Sequence, residues 1–256
     1  MPTFRATDGI EIFYTSTGPD GGRPPVVLHH GFGASGEVDW VDPGTVAAFT
    51  AAGRRVVTLD ARGHGRSAKP HDPARYGEGR MAQDVSTLID ELSVPAVDLA
   101  GYSMGAIVAL LVAARDPRVR RLAIGGVGAA AAELGGVDTR TLPSDVLRAA
   151  LLADDPASVT HPTAAGFRAW IDTTGSDRQA LAAQAAALHR DPLPLDAVRV
   201  PTLVLAGRED ELATRPQVLA DAVPGAVLLL VDGDHGAVLR EPAFIDALVT
   251  FLGKDT

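Results

Sequence analysis

The chain has 256 residues, 46% of them hydrophobic, and a formal net charge of −9. That length and apolar content fit one large α/β domain, at most with an insertion, and exclude extended disorder. The acidic balance argues against a nucleic-acid binder, which needs a basic stripe. The absence of cysteine excludes disulfides, thiol nucleophiles and cysteine-ligated metal sites.

Met1 to Asp8 shows no charged lead followed by an apolar core, so no secretory signal is visible and a cytoplasmic location is expected. The first strand pattern, Ile10 to Thr15, follows an Asp8-Gly9 turn, as the second arm of an N-terminal hairpin would. Val26–His29 and Arg55–Leu59 are short apolar runs suited to buried parallel strands, with a helical pattern over Thr45–Ala51 between them. A helix over Met81–Leu92, a strand over Val97–Ala100, a helix over Ala106–Arg115 and a strand over Arg121–Ile124 continue the series. The run from Ala106 to Ala114 is the longest apolar stretch and is too short to cross a bilayer, so no membrane partner is expected.

From Ala129 to Leu195 the strand pattern stops and alanine dominates. Three helices are predicted there, Ser144–Ala153, Thr163–Thr173 and Ser176–His189, with Ser144 and Ser176 as N-cap candidates. The alternation resumes with a strand over Thr202–Ala206, a helix over Arg215–Ala222, a strand over Val227–Val231 and a helix over Pro242–Leu252. Such alternation implies an α/β fold, a mainly parallel sheet covered by helices on both faces. Residues 1–128 and 196–256 then form the core, and 129–195 reads as a helical cap over the carboxyl edge of the sheet or, more blandly, as a decorative helical layer.

One pentapeptide carries chemistry. Gly101-Tyr102-Ser103-Met104-Gly105 lies between a buried strand and an apolar helix, the context that defines a nucleophile elbow. With 9 serines and 27 glycines, chance alone would produce about 0.1 copies of Gly-x-Ser-x-Gly, so context has to carry the assignment. A serine hydroxyl needs a general base, and the base needs a partner that fixes its tautomer. Of the seven histidines, at 29, 30, 64, 71, 161, 189 and 235, His235 follows the last strand at the same sheet edge as Ser103. The acid is sought in Gly207-Arg208-Glu209-Asp210-Glu211, where Asp210 is favoured and Glu209 and Glu211 are rivals. The segment after the preceding strand, Ile124 to Gly128, holds no carboxylate. Two backbone N–H groups must meet the oxyanion: Met104 after the nucleophile, and Phe32 in the glycine-rich loop His30 to Gly36.

These signatures together resemble the α/β-hydrolase-fold serine hydrolases. Four motifs carry the likeness in order: His30-Gly31-Phe32-Gly33, Asp60-Ala61-Arg62-Gly63-His64-Gly65-Arg66-Ser67, the elbow at Ser103, and His235 followed by Glu241-Pro242-x-x-Phe244. The resemblance implies an eight-stranded, mostly parallel sheet with a small helical cap after the sixth strand. It also implies a Ser103, Asp210, His235 triad with Phe32 and Met104 as oxyanion donors. The loop carrying His64 is expected to be structural, His29 and His30 to shape the pocket floor or its loop, and Trp40 and Trp170 to line a pocket or pack in the core. Serine at the nucleophile position argues against haloalkane dehalogenases and epoxide hydrolases. It fits carboxylesterases, lactonases, carbon–carbon bond hydrolases and haloperoxidase- or perhydrolase-like enzymes.

The expected activity is therefore hydrolysis of a small carboxylic ester or lactone through an acyl-enzyme. Carbon–carbon hydrolysis is the second enzymatic reading, and a catalytically silent receptor on the same fold is the non-enzymatic one. No metal cluster or dinucleotide fingerprint is present, so no cofactor is expected, and the expected partner is a small molecule.

Overall fold

In the computed structural model, which describes residues 2–20 and 22–254, β1 (Thr3–Arg5) and β2 (Glu11–Thr17) form the antiparallel N-terminal hairpin. β3 (Val26–His29), α1 (Thr45–Ala51), β4 (Val56–Leu59), α2 (Glu78–Leu92), β5 (Val97–Tyr102), α3 (Met104–Ala113) and β6 (Val119–Gly125) then alternate. Four helices follow without a strand: α4 (Ala129–Leu134), α5 (Ser144–Leu152), α6 (Pro162–Thr174) and α7 (Arg178–Ala185). β7 (Thr202–Gly207), α8 (Pro216–Ala222), β8 (Val227–Val231) and α9 (Pro242–Leu252) complete the chain.

The eight strands form one sheet in the order β1-β2-β4-β3-β5-β6-β7-β8. β2 is antiparallel to β4, and every pair from β4 to β8 is parallel. β3, β4 and β5 are buried at every position, which is why they read as continuous apolar runs rather than alternating ones. Residues on one face of the sheet, such as Val27, Leu99 and Val204, pack with α2, α3 and α8; their alternates, such as Leu28, Ala100 and Leu203, pack with α1 and α9. α3 is buried along its whole length, so its sequence is apolar all round. α2 is buried along one side, with Met81, Val85, Leu88 and Ile89 as its large apolar residues there.

Strand order reverses between β3 and β5, which are adjacent and in register through His29 and Gly101. The loops leaving these two strands therefore border a crevice at the carboxyl edge, the usual ligand position in open α/β sheets.

The helical stretch between β6 and β7 differs in detail from expectation. α4 has no apolar period to betray it, because its buried residues are all alanine. Ser144 is not a cap: α5 begins after Pro143 with no capping side chain, and the Ser144 hydroxyl accepts from Arg190 instead. Ser176 is not one either, since Asp177 accepts from the N–H groups of Gln179 and Ala180 at the start of α7. A carboxylate suits the positive end of a helix better than a hydroxyl, and Ser176 turns to Thr174 and the Gly33 carbonyl. α5, α6 and α7 share a small apolar cluster of their own around Leu147, Leu151, Ile171 and Leu181, against which Phe32 packs. Among the described residues no helix is long and apolar enough to cross a membrane.

Candidate active site

Ser103 sits between β5 and α3 with φ 53° and ψ −116°, a strained conformation for a residue with a side chain. The backbone is held there by the Ser103 N–H, which donates to the Gly125 carbonyl at 2.8 Å. Glycine on either side is a steric requirement. A Cβ at Gly101 would collide with the Gly105 carbonyl, and one at Gly105 would collide with the His29 carbonyl and lie 2.7 Å from that of His30. The turn can close only because these two positions lack side chains.

Ser103 Oγ lies 3.1 Å from His235 Nε2. On the other side of the ring, His235 Nδ1 lies 2.8 and 3.0 Å from the two Asp210 oxygens. With Nδ1–H donating to the carboxylate, Nε2 is left as an acceptor for the serine proton. Asp210 is buried and also receives the N–H groups of Leu212 and Ala213, which fix its position. Neither rival carboxylate is hydrogen-bonded to His235: Glu209 accepts from the Gly233 N–H, and Glu211 is exposed. The His235 loop is anchored by Tyr102, whose hydroxyl donates to the His235 carbonyl at 2.5 Å. Burial pushes the Tyr102 phenol well above its usual range, so it stays a neutral donor.

Phe32 and Met104 flank Ser103 in the cavities described below. As the first residue of α3, Met104 has no intrahelical acceptor for its N–H. Among the described residues the Phe32 N–H has no hydrogen-bond acceptor either. The loop carrying Phe32 rests on three buried histidines. His30 accepts the Ala61 N–H at Nε2, so its Nδ1–H donates to the Gly31 carbonyl at 2.7 Å. His29 Nδ1 meets the His30 carbonyl, and His64 Nδ1 meets that of Arg62. His64 packs on His30 and edge-on to Phe32. Burial lowers His29 to about 4 and His30 and His64 to about 3, so all three are neutral at ordinary pH. His64 thus supports the loop, and the imidazole hydrogen-bonded to Ser103 is that of His235. Its own loop is held by Asp60, which accepts from the N–H groups of Gly36 and Arg66.

Two cavities open from Ser103, and Phe32 borders both. The narrow one, about 50 Å³, is lined mostly by aliphatic side chains, among them Met104, Val127, Val137, Leu142, Leu147 and Leu188. Its one charged lining residue among those described, Asp138, is engaged by Arg140. The wide one, about 750 Å³, carries His235 and opens past Phe167 and Trp170 of α6. Trp170 therefore lines a cavity, whereas Trp40 packs in the core on the face of α1 and α9.

One residue of the site escapes sequence reasoning altogether. Asp39 lines the wide cavity while only 6% exposed, and accepts the Gly31 N–H at 2.8 Å. A Cβ placed on Gly31 would lie 3.4 Å from both Asp39 Oδ2 and Ser103 Cβ, which sets the carboxylate close to Ser103. Burial raises Asp39 to about 6, opposed by the Gly31 N–H and by His235 and Arg240. Nothing in the local sequence marks it, because an aspartate between Glu37 and Asp42 in a short interstrand connection reads as solvated. Among the described residues no cluster of His, Cys, Asp and Glu is arranged to hold a metal ion.

A strained serine after a central parallel strand faces a histidine–carboxylate pair at the sheet's carboxyl edge, and comparison with known proteins finds the same class of fold. The chain belongs to the α/β hydrolase fold family: the family profile matches residues 24–127. It is 30% identical over 209 residues to a 2-hydroxy-6-oxo-2,4-heptadienoate hydrolase of Pseudomonas putida, covering 75% of this chain and 74% of that one. It is 39% identical over 108 residues to a non-heme chloroperoxidase of Streptomyces lividans, covering 41% of this chain and only 36% of that one. In three dimensions it is similar to a hydrolase from Pseudomonas aeruginosa, with TM-score 0.81, 28% identity and 99% and 98% of the two chains covered.

Proposed function

We propose that the protein is a serine hydrolase that cleaves a small carboxylic ester or lactone through an acyl-enzyme intermediate. The observation that carries this reading is the unbroken chain of contacts from Ser103 Oγ to His235 to Asp210 at a strained elbow. His235 takes the serine proton as Oγ attacks the carbonyl carbon, and Asp210 stabilises the imidazolium that results. The oxyanion is met by the N–H groups of Phe32 and Met104, the latter at the positive end of α3. His235 then returns the proton to the departing oxygen. In the second half-reaction it activates a water that releases the acid.

The helices between β6 and β7 act as a cap over this site, since Phe167 and Trp170 wall the wide cavity and Leu142 and Leu147 the narrow one. A narrow cavity of about 50 Å³ has room for about three or four water-sized groups, which fits a short acyl chain. The test is a panel of acetyl, butyryl and octanoyl esters and small lactones with Ser103→Ala as control. Turnover of the short esters should vanish in the variant; retention of turnover there would exclude Ser103 as nucleophile.

A second reading is favoured by the likeness to the heptadienoate hydrolase. The same three residues would hydrolyse a carbon–carbon bond beside a carbonyl. A vinylogous diketone substrate turned over faster than any ester or lactone would establish it. Haloperoxidase- or perhydrolase-like activity is the third, and peroxide-dependent halogenation assays distinguish it.

A further inference from the structure

The two cavities share Ser103 and Phe32 but border different partners of the serine. Met104 lines only the narrow cavity, and His235 lines only the wide one. In acyl transfer the histidine must hand its proton to the departing oxygen. The leaving group therefore stands on the His235 side, in the wide cavity, and the acyl group turns into the narrow apolar one. This assignment of sides rests on the acyl-transfer reading of Ser103.

The wide cavity has a charge sign. Asp39, Glu209, Glu211 and Asp234 all line it, and among the described residues no lysine or arginine does. Asp39 is the least conventional of the four. It is 6% exposed, accepts a single N–H from Gly31, and has no cation at ion-pair distance among the described residues. Glu209 and Asp234 are exposed and held by loop N–H groups, from Gly233 and from Gly236 and Ala237 respectively. The neighbouring cations do not cancel this charge from within the cavity. Arg240 is exposed and acts on Asp39 without lining it, and Arg208 pairs with Asp232. Trp170 and Phe167, the latter shared with the narrow cavity, add aromatic lining, their rings 6.3 Å apart and edge to face. Carboxylates in a walled cleft focus their field, and aromatic faces add attraction for an ammonium group.

We propose that the wide cavity is a leaving-group subsite selective for positive charge, so that short apolar acyl esters of ammonium-bearing alcohols are preferred and carboxylate-bearing substrates are disfavoured. Asp39 and Glu211 are the residues that set this preference. Substrates with a carboxylate, as the name of the heptadienoate hydrolase implies for that relative, would meet like charge here.

The test uses three butyryl esters of similar shape, those of choline, of its neutral isostere 3,3-dimethylbutanol, and of 4-hydroxybutanoate. kcat/KM is measured for each at about 20 mM and about 300 mM NaCl, where screening differs several-fold in range. The choline ester should exceed the neutral ester by about tenfold at low salt, with the ratio shrinking at high salt, and the anionic ester should be the poorest. Within each of Asp39→Asn and Glu211→Gln the choline-to-neutral ratio should fall by about twofold or more. The ratio compares two substrates on one protein, so a loss of folded fraction cancels. Asparagine can also still accept the Gly31 N–H. Equal kcat/KM for choline and neutral esters, no turnover of the choline ester, or preference for the anionic one overturns the inference while leaving ester hydrolysis standing if the neutral ester is cleaved. No turnover of any ester, with Ser103 unlabelled by a fluorophosphonate, overturns the acyl-transfer reading as well.

Discussion

Replacing Gly105 by alanine should damage the elbow in a way that can be sized from the structure. Its Cβ would collide with the His29 carbonyl and sit 2.7 Å from the His30 carbonyl. Carbon–oxygen contacts begin near about 3.3 Å, so the His30 carbonyl alone must recede by about 0.6 Å. Both obstacles are backbone at the end of β3, where no rotamer change can relieve the clash. Overpacking of this kind costs about 1–3 kcal/mol, and the upper end applies here. For a chain of this size that is a fall in Tm of roughly 6–12 °C. The shift also separates Ser103 from the loop bearing Phe32, and a misplacement approaching 1 Å lowers turnover by about 10²-fold. Gly79→Ala in α2 is the control, since a Cβ there meets nothing within 4 Å; it should be neutral or stabilise by up to about 1 kcal/mol. Thermal unfolding by circular dichroism and hydrolysis of p-nitrophenyl butyrate give the two readouts. If Gly105→Ala melts with the parent and keeps its rate, the steric account of the elbow is wrong.

Asp210→Asn should lower kcat by about 10⁴-fold through loss of the productive His235 tautomer, whereas Glu209→Gln and Glu211→Gln should stay within about tenfold of the parent on a neutral ester; a glutamate variant worse than Asp210→Asn would reassign the acid. Glu78, 1% exposed, is raised by burial from 4.5 to about 7, the His189 N–H opposing. Because the folded state holds this proton longer than the unfolded chain, its contribution is fully favourable below pH 4.5 and is lost as pH rises to about 7, by about 3 kcal/mol. Urea titrations at pH 5 and pH 8 should show Glu78→Gln gaining on the parent by that order at the higher pH, and parallel pH dependences would refute the assignment. The three buried histidines act with the opposite sign. Their lowered values mean that stability present above pH 6.5 is lost as pH falls toward 4, at about 1.4 kcal/mol per pH unit for each. His64→Gln should therefore reduce the proton uptake of acid unfolding by about one, read from the pH dependence of the urea midpoint.

The sheet was legible because its central strands are buried on both faces and announce themselves as apolar runs between helical patterns. Ser103, His235 and Asp210 were legible because each lies on a short loop directly after a strand, where chain order and sheet edge together place them. The helices between β6 and β7 were legible only as helices. Their alanine-rich faces carry little pattern, and the choice of Asp177 over Ser176 as a cap depends on where Gly33 and Thr174 stand in space. Asp39 and Glu78 look like ordinary solvated carboxylates in sequence. Each is set among distant segments, Asp39 in the cavity it shares with Ser103 and His235 and Glu78 against the stretch that brings the His189 N–H to α2. The contact of His64 with His30 likewise joins loops that follow two different strands.

The most direct test of Ser103 as the nucleophile is covalent labelling with a fluorophosphonate, with the modified residue located by mass spectrometry. Stoichiometric labelling confined to Ser103, abolished in Ser103→Ala and slowed by about 10³-fold or more in His235→Ala, is the predicted result. An unlabelled parent protein, or labelling that persists in Ser103→Ala, would contradict it.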